Sequence, residues 1–242
     1  MIRTEELAAG RVNGSLAHAL RRRGGILLLP TIFGIDGFAR ERAGLMAEAG
    51  FSTLIWNPYP GEPPPGDMRA AMARAGTLDD SLIETMSEGI GYMHRTLHLD
   101  AVAVLGFCLG GRYALLLAAR HHGLAACVAF YPSIRVPAKP NETHDAIARA
   151  AYIDCPVHLV HAGSDQVFTH QSFLRLRGAL EQRKAATIVQ LHPEAAHSFM
   201  RPELQHETAQ AAATRLSWPL AVAFFGTCLA GQPSRFEARI GP

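Results

Sequence analysis

Cys108 stands between glycines in Gly106-Phe107-Cys108-Leu109-Gly110-Gly111, directly after the apolar run 101–105. A thiol can attack a carbonyl carbon once a base has taken its proton, and that base needs a third group to fix its tautomer and orientation. The apolar run, bounded by glycine, suits a strand buried on both faces. The residues after the glycines carry a helical pattern. A sharp turn from strand to helix would push the Cys108 side chain out over the sheet, and a side chain at the flanking positions would collide with strand or helix. The helix N-terminus would favour a thiolate.

Twelve histidines could supply the base. His158 and His161 lie within an expected strand, His192 ends one, and His121 and His122 end a helix. His197 follows a strand in a loop with small neighbours, Ala195, Ala196 and Ser198. It is the best placed, because sites in open α/β sheets lie beyond the carboxyl ends of the strands. The same rule sorts the acids. Asp145 would cap a helix, Asp154 precedes its strand, and Asp165 follows one. The order Cys108, Asp165, His197 is nucleophile, acid, histidine, the chain order of the α/β-hydrolase triad. The oxyanion would be met by two backbone N–H groups, one from Leu109 and one, at Ile32, from the loop after the first buried strand.

These residues need elements to place them, and the chain alternates strand and helix patterns. Gly10 to Leu20 contains Asn13-Gly14, a hairpin signal. Strands are expected at 25–29, 51–56, 101–105, 125–131, 157–161 and 186–191. Helices are expected over 37–49 (capped by Asp36), 69–76, 78–96, 109–122, 145–151 and 171–181. A last helix runs from near Pro202 to about Ala230, with a possible break at Pro219. Residues 57–67 hold five prolines and two glycines and form a loop at a strand end, a candidate substrate rim. The expectation is one α/β domain over residues 1–242, an α/β-hydrolase fold with a mainly parallel central sheet and helices on both faces.

Composition narrows the function classes. Of 242 residues, 48% are hydrophobic and 18% charged, with a net charge of +2, so a sizeable core is possible and no acidic partner is indicated. Arg21-Arg22-Arg23 is a poor nucleic-acid footprint. The four cysteines, at 108, 127, 155 and 228, show no Cys-x-x-Cys spacing, so no metal site, redox pair or other cofactor is expected. No apolar h-region opens the chain, and the stretch 218–230 is too short to span a bilayer. The expectation is a soluble, cytoplasmic protein with a small-molecule substrate and neither nucleic acid nor membrane as partner.

The segments Ile32-Phe33-Gly34-Ile35-Asp36-Gly37-Phe38-Ala39-Arg40-Glu41, Gly106-Phe107-Cys108-Leu109-Gly110-Gly111 and His197-Ser198-Phe199 resemble the dienelactone hydrolase family. The resemblance runs from the strand at 25 to the last helix. It implies a Cys108–His197–Asp165 triad acting on an enol-lactone, with Arg201 binding a substrate carboxylate. It implies a second arginine upstream of the long helix, for which Arg69 is the nearest match and Arg74 its rival. Ser198, Phe38 and Trp56 or Tyr59 would line the pocket. Family members with lactonase chemistry carry a glutamate immediately before Ile-Phe-Gly that helps to activate the thiol; this chain has Pro30-Thr31 there. Threonine neither takes a proton nor holds negative charge near neutral pH. Cys108 would then depend on His197 and the helix dipole, and its acyl substrate could be an ester, lactone or thioester. The alternative is a non-catalytic binding or regulatory protein on the same fold.

Overall fold

The computed structural model describes residues 2–21 and 23–230. Eight strands form one sheet in the order β1-β2-β4-β3-β5-β6-β7-β8. They are β1 (Arg3–Ala9), β2 (Val12–His18), β3 (Gly25–Leu29), β4 (Ser52–Trp56), β5 (Val102–Phe107), β6 (Cys127–Phe130), β7 (Val157–Ala162) and β8 (Thr187–His192). The β1/β2 and β2/β4 pairs are antiparallel, and the rest of the sheet is parallel. The helices are α1 (Gly37–Glu48), α2 (Met68–Ala75), α3 (Ile83–Arg95), α4 (Leu109–Arg120), α5 (Ala146–Ala150), α6 (His170–Glu181) and α7 (Thr208–Ala230).

Strand periodicity divides the core. Leu27, Val104, Ala129 and Leu159 face a layer that includes α3, α4, α5 and α6. Ile26, Leu28, Leu105, Val128 and Val160 face α1 and α7. Successive strand residues point to opposite faces, so strands covered on both sides are buried at every position. β3, β5 and β7 are fully buried; β3 and β5 are apolar throughout, while β7 carries the buried His158 and His161. This is the expected α/β-hydrolase fold.

Three local expectations are corrected. The first hairpin turns at Gly10-Arg11, where Gly10 has φ +62°, and Asn13-Gly14 lies inside β2. Gly14 is required there by close approach: a Cβ would overlap the Ile55 carbonyl of β4. The expected helix 78–96 is a 3-10 turn, Asp80–Leu82, followed by α3. Helix α7 starts at Thr208, after a 3-10 turn at Pro202–Leu204, and runs unbroken through Pro219. Pro219 and Arg215 are both exposed, so the helical bond that Pro219 removes is lost on the outer side of the helix. Among the described residues no helix is long and apolar enough to cross a membrane.

Candidate active site

β5 delivers Cys108 to the carboxyl edge of the sheet, and α4 begins at the next residue. Cys108 has φ +54° and ψ −113°, a backbone conformation that L residues rarely adopt. Its neighbours hold it there. The Cys108 N–H donates to the Phe130 carbonyl at 3.1 Å, and its own carbonyl accepts from Ser133 N–H at 2.8 Å. A Cβ at Gly106 would overlap the Gly110 carbonyl, and one at Gly110 would overlap the Leu29 carbonyl. The glycine pattern thus records how closely α4 packs on β3 and β5.

Three side chains meet at the edge. His197 Nε2 lies 3.0 Å from Cys108 Sγ, and His197 Nδ1 lies 2.7 Å from Asp165 Oδ2. Asp165 follows β7 and is fully buried. Its Oδ1 accepts from the N–H groups of Val167 at 2.7 Å and Phe168 at 2.9 Å, which fixes the carboxylate plane. The rings of Tyr131 and His197 meet edge to face with centroids 5.5 Å apart.

The electrostatics favour an ion pair. Burial pushes the Cys108 thiol up, but the adjacent His197 and the Leu109 N–H more than offset this, and the net direction is down. Burial opposes charge on His197 as well. The Cys108 thiolate and the Asp165 hydrogen bond outweigh it, and His197 is pushed up to about 10. By contrast, burial drives the thiols of Cys127 and Cys155 up, and the opposing charge of Arg183 does not offset it.

The pair opens into a cavity of about 480 Å³. Ile32 and Leu109 both line it, and among the described residues the N–H of neither is taken by a backbone acceptor, whereas the Gly110 N–H is held by the Pro30 carbonyl at 3.0 Å. Thr31 also lines it, buried, with Oγ1 accepting from Phe33 N–H at 3.3 Å. The cavity carboxylates Glu142 and Glu203 make no hydrogen bond to Cys108.

The other expected residues separate into two groups. Ser198 and Arg201 line the cavity. Arg201 is stacked over Phe33 at 4.7 Å and already pairs with Asp36 and Glu203. Phe38, Tyr59 and Arg69 do not line it. Phe38 is core, edge-on to Phe107 at 5.1 Å. Tyr59 is buried behind the wall, where its hydroxyl donates to the Ile32 carbonyl at 2.9 Å and so steadies that loop. Arg69 is exposed on α2, and its rival Arg74 is tied to Glu62 and the Pro63 carbonyl. Much of the wall escaped the sequence, including Arg135 and Lys139 after β6, and Met68 and Met72 on α2. The position of Arg135 just past a strand end was the available signal for it. Among the described residues no cluster of three or more His, Cys, Asp or Glu could hold a metal ion.

The family model for the dienelactone hydrolase family matches residues 13–229. The chain belongs to the dienelactone hydrolase family. Within the family, it is 32% identical over 208 residues to a carboxymethylenebutenolidase of Rhodococcus opacus, covering 83% of this chain and 79% of that protein. A solved Klebsiella pneumoniae structure, "Putative Dienelactone Hydrolase", superposes with a TM-score of 0.80 at 20% identity, covering 93% of this chain and 98% of the other. A dienelactone hydrolase-like promiscuous phosphotriesterase from metagenomic libraries gives 0.74 at 20% identity, with 94% and 98% covered. The two structures share the fold of this dienelactone hydrolase family member.

Proposed function

We propose that this protein is a cysteine-dependent hydrolase that opens a small lactone or cleaves a small carboxylic ester, in one domain and with no cofactor. The observation that carries the proposal is the continuous contact from Asp165 through His197 to the Cys108 sulfur. The thiolate adds to the carbonyl carbon, and the oxyanion is met by the N–H groups of Ile32 and Leu109. When the tetrahedral species collapses, the C–O bond breaks and protonated His197 gives its proton to the departing alkoxide. In a lactone that alkoxide stays tethered. Water, deprotonated by His197, then attacks the thioester, and the acid leaves as the thiolate returns. Asp165 holds the ring in the tautomer both steps need.

The substrate is a compact ester with an apolar body, which suits the methionines and Phe33 around the cavity. The name of the Rhodococcus opacus relative makes an enol-lactone the first compound to try. Thr31 supplies no carboxylate to the thiol, and this favours the second reading, a binding protein that does not turn over. The four free thiols fit a reducing compartment such as the cytoplasm.

Hydrolysis of short aryl esters and of a dienelactone should be compared for wild type and Cys108→Ala. The variant should lose about 10³-fold or more, and intact-mass analysis should trap an acyl group on Cys108 in the wild type. Equal rates in the two proteins would sink the proposal.

A further inference from the structure

The two edges of the sheet are built differently. β1 carries Arg3, Glu5 and Glu6, charges of the kind that keep an edge strand from pairing with another chain. β8, at the opposite edge, reads Thr-Ile-Val-Gln-Leu-His, with no Lys, Arg, Asp, Glu or Pro. Ile188, Val189 and Leu191 are 44%, 36% and 44% exposed.

The backbone of β8 is divided cleanly. The Ala186 and His192 carbonyls accept from Val157 and Gly163, so the even-numbered residues bond to β7. The N–H and C=O groups of Thr187, Val189 and Leu191 therefore point away from the sheet, with no backbone partner among the described residues.

We infer that β8 is the pairing edge for a second copy of this chain, joined antiparallel about a two-fold axis at Val189. That register places Val189 opposite Val189 and Thr187 opposite Leu191, each pair exchanging both of its outward hydrogen bonds. It also sets Lys184 against Glu194 at both ends. Lys184 and Glu194 are exposed and have no ion pair among the described residues. The strand is self-complementary in hydrogen bonding, apolar surface and charge, which an isologous contact requires. The two sheets become one, and the carboxyl edges carrying the cavities stay open.

Sedimentation velocity on the full chain over a dilution series tests this. The wild type should be a concentration-dependent dimer. Val189→Pro removes an outward N–H and no bond to β7, so it should give a folded monomer. Lys184→Glu should raise the dimer dissociation constant by about tenfold or more, and adding Glu194→Lys to it should restore pairing. A wild type that stays monomeric overturns the inference, and so does a dimer that Lys184→Glu leaves intact or that Val189→Pro leaves intact with unchanged circular dichroism. Should Val189→Pro fail to fold, the charge reversal and its rescue decide.

Discussion

Arg201 Nη1 lies 3.0 Å from Asp36 Oδ2, so the cation at the cavity wall is partly neutralised by the residue that begins α1. Asp36 serves both ends of this contact, because its Oδ1 caps α1 by accepting from Ala39 N–H at 2.9 Å. Asn keeps a capping oxygen but carries no charge. Asp36→Asn should therefore preserve the fold and leave more of the Arg201 charge for substrate. The KM for an ester bearing a free carboxylate should fall roughly fivefold, worth about 1 kcal/mol, with kcat steady. A neutral aryl ester should show no change. Equal shifts for both esters would mean that Arg201 does not face the acyl group.

The thiolate should outlast ordinary cysteine on acidification. The net direction for Cys108 is down, so its alkylation by iodoacetamide should stay fast well below about pH 8.5, the free-cysteine value. His197→Asn removes the cation and should move the midpoint up. On the alkaline side, the proposed mechanism uses His197 as proton donor to the leaving group, and His197 is pushed up to about 10. The rate with a poor alkoxide leaving group should fall as pH rises through that value, while the rate with a phenoxide leaving group, which needs no proton, should not.

Two glycine substitutions should part company. Gly110→Ala forces a methyl group into the Leu29 carbonyl and should cost on the order of 3 kcal/mol or more in urea unfolding, with loss of activity. Gly44, inside α1, has open space where a Cβ would stand, and Gly44→Ala should stabilise by up to about 1 kcal/mol. Similar effects for the two would argue against the close contact of α4 with β3.

Arg112 and Asp80 form a buried two-bond pair at 2.6 and 2.9 Å, with side chains 3% and 1% exposed. Arg112 also donates to the His144 carbonyl, and Asp80 accepts from His144 N–H, so the pair ties α4 to the loop before α5. Breaking one side leaves a buried charge alone. Arg112→Met should destabilise by about 3–5 kcal/mol. Burial pushes Asp80 up, the Arg112 bonds outweigh it, and its carboxyl ends below the usual value. A depressed acid contributes stability that is present above its unfolded value and lost as pH falls through the folded one. Wild type should therefore weaken below about pH 4, and Asp80→Asn should lack that part of the slope.

What the sequence could disclose follows from the range of the forces involved. Strand ends and their order along the chain are local, and they sufficed to bring Cys108, Asp165 and His197 forward together. Contacts between distant segments leave no such trace. Asn13-Gly14 has the composition of a turn, yet Gly14 is there to admit the Ile55 carbonyl. Arg69 matches a family pattern only in position, and the helix phase that turns it to solvent depends on how α2 settles. The Arg112–Asp80 pair joins residues 32 apart, and although Arg112 directly follows the Gly110-Gly111 motif, nothing local points it to Asp80.

The Cys108 conformation has a thermal corollary. Its φ of +54° persists only while Phe130 and Ser133 hold the peptide on either side. Relaxing that single residue relieves local strain and costs α4 only its first bond, from Arg112 N–H to the Cys108 carbonyl at 3.2 Å. On heating, the reactive thiol should consequently be silenced a few degrees before the cooperative collapse of the sheet, so that this protein, when cooled promptly, recovers its chemistry without having to refold.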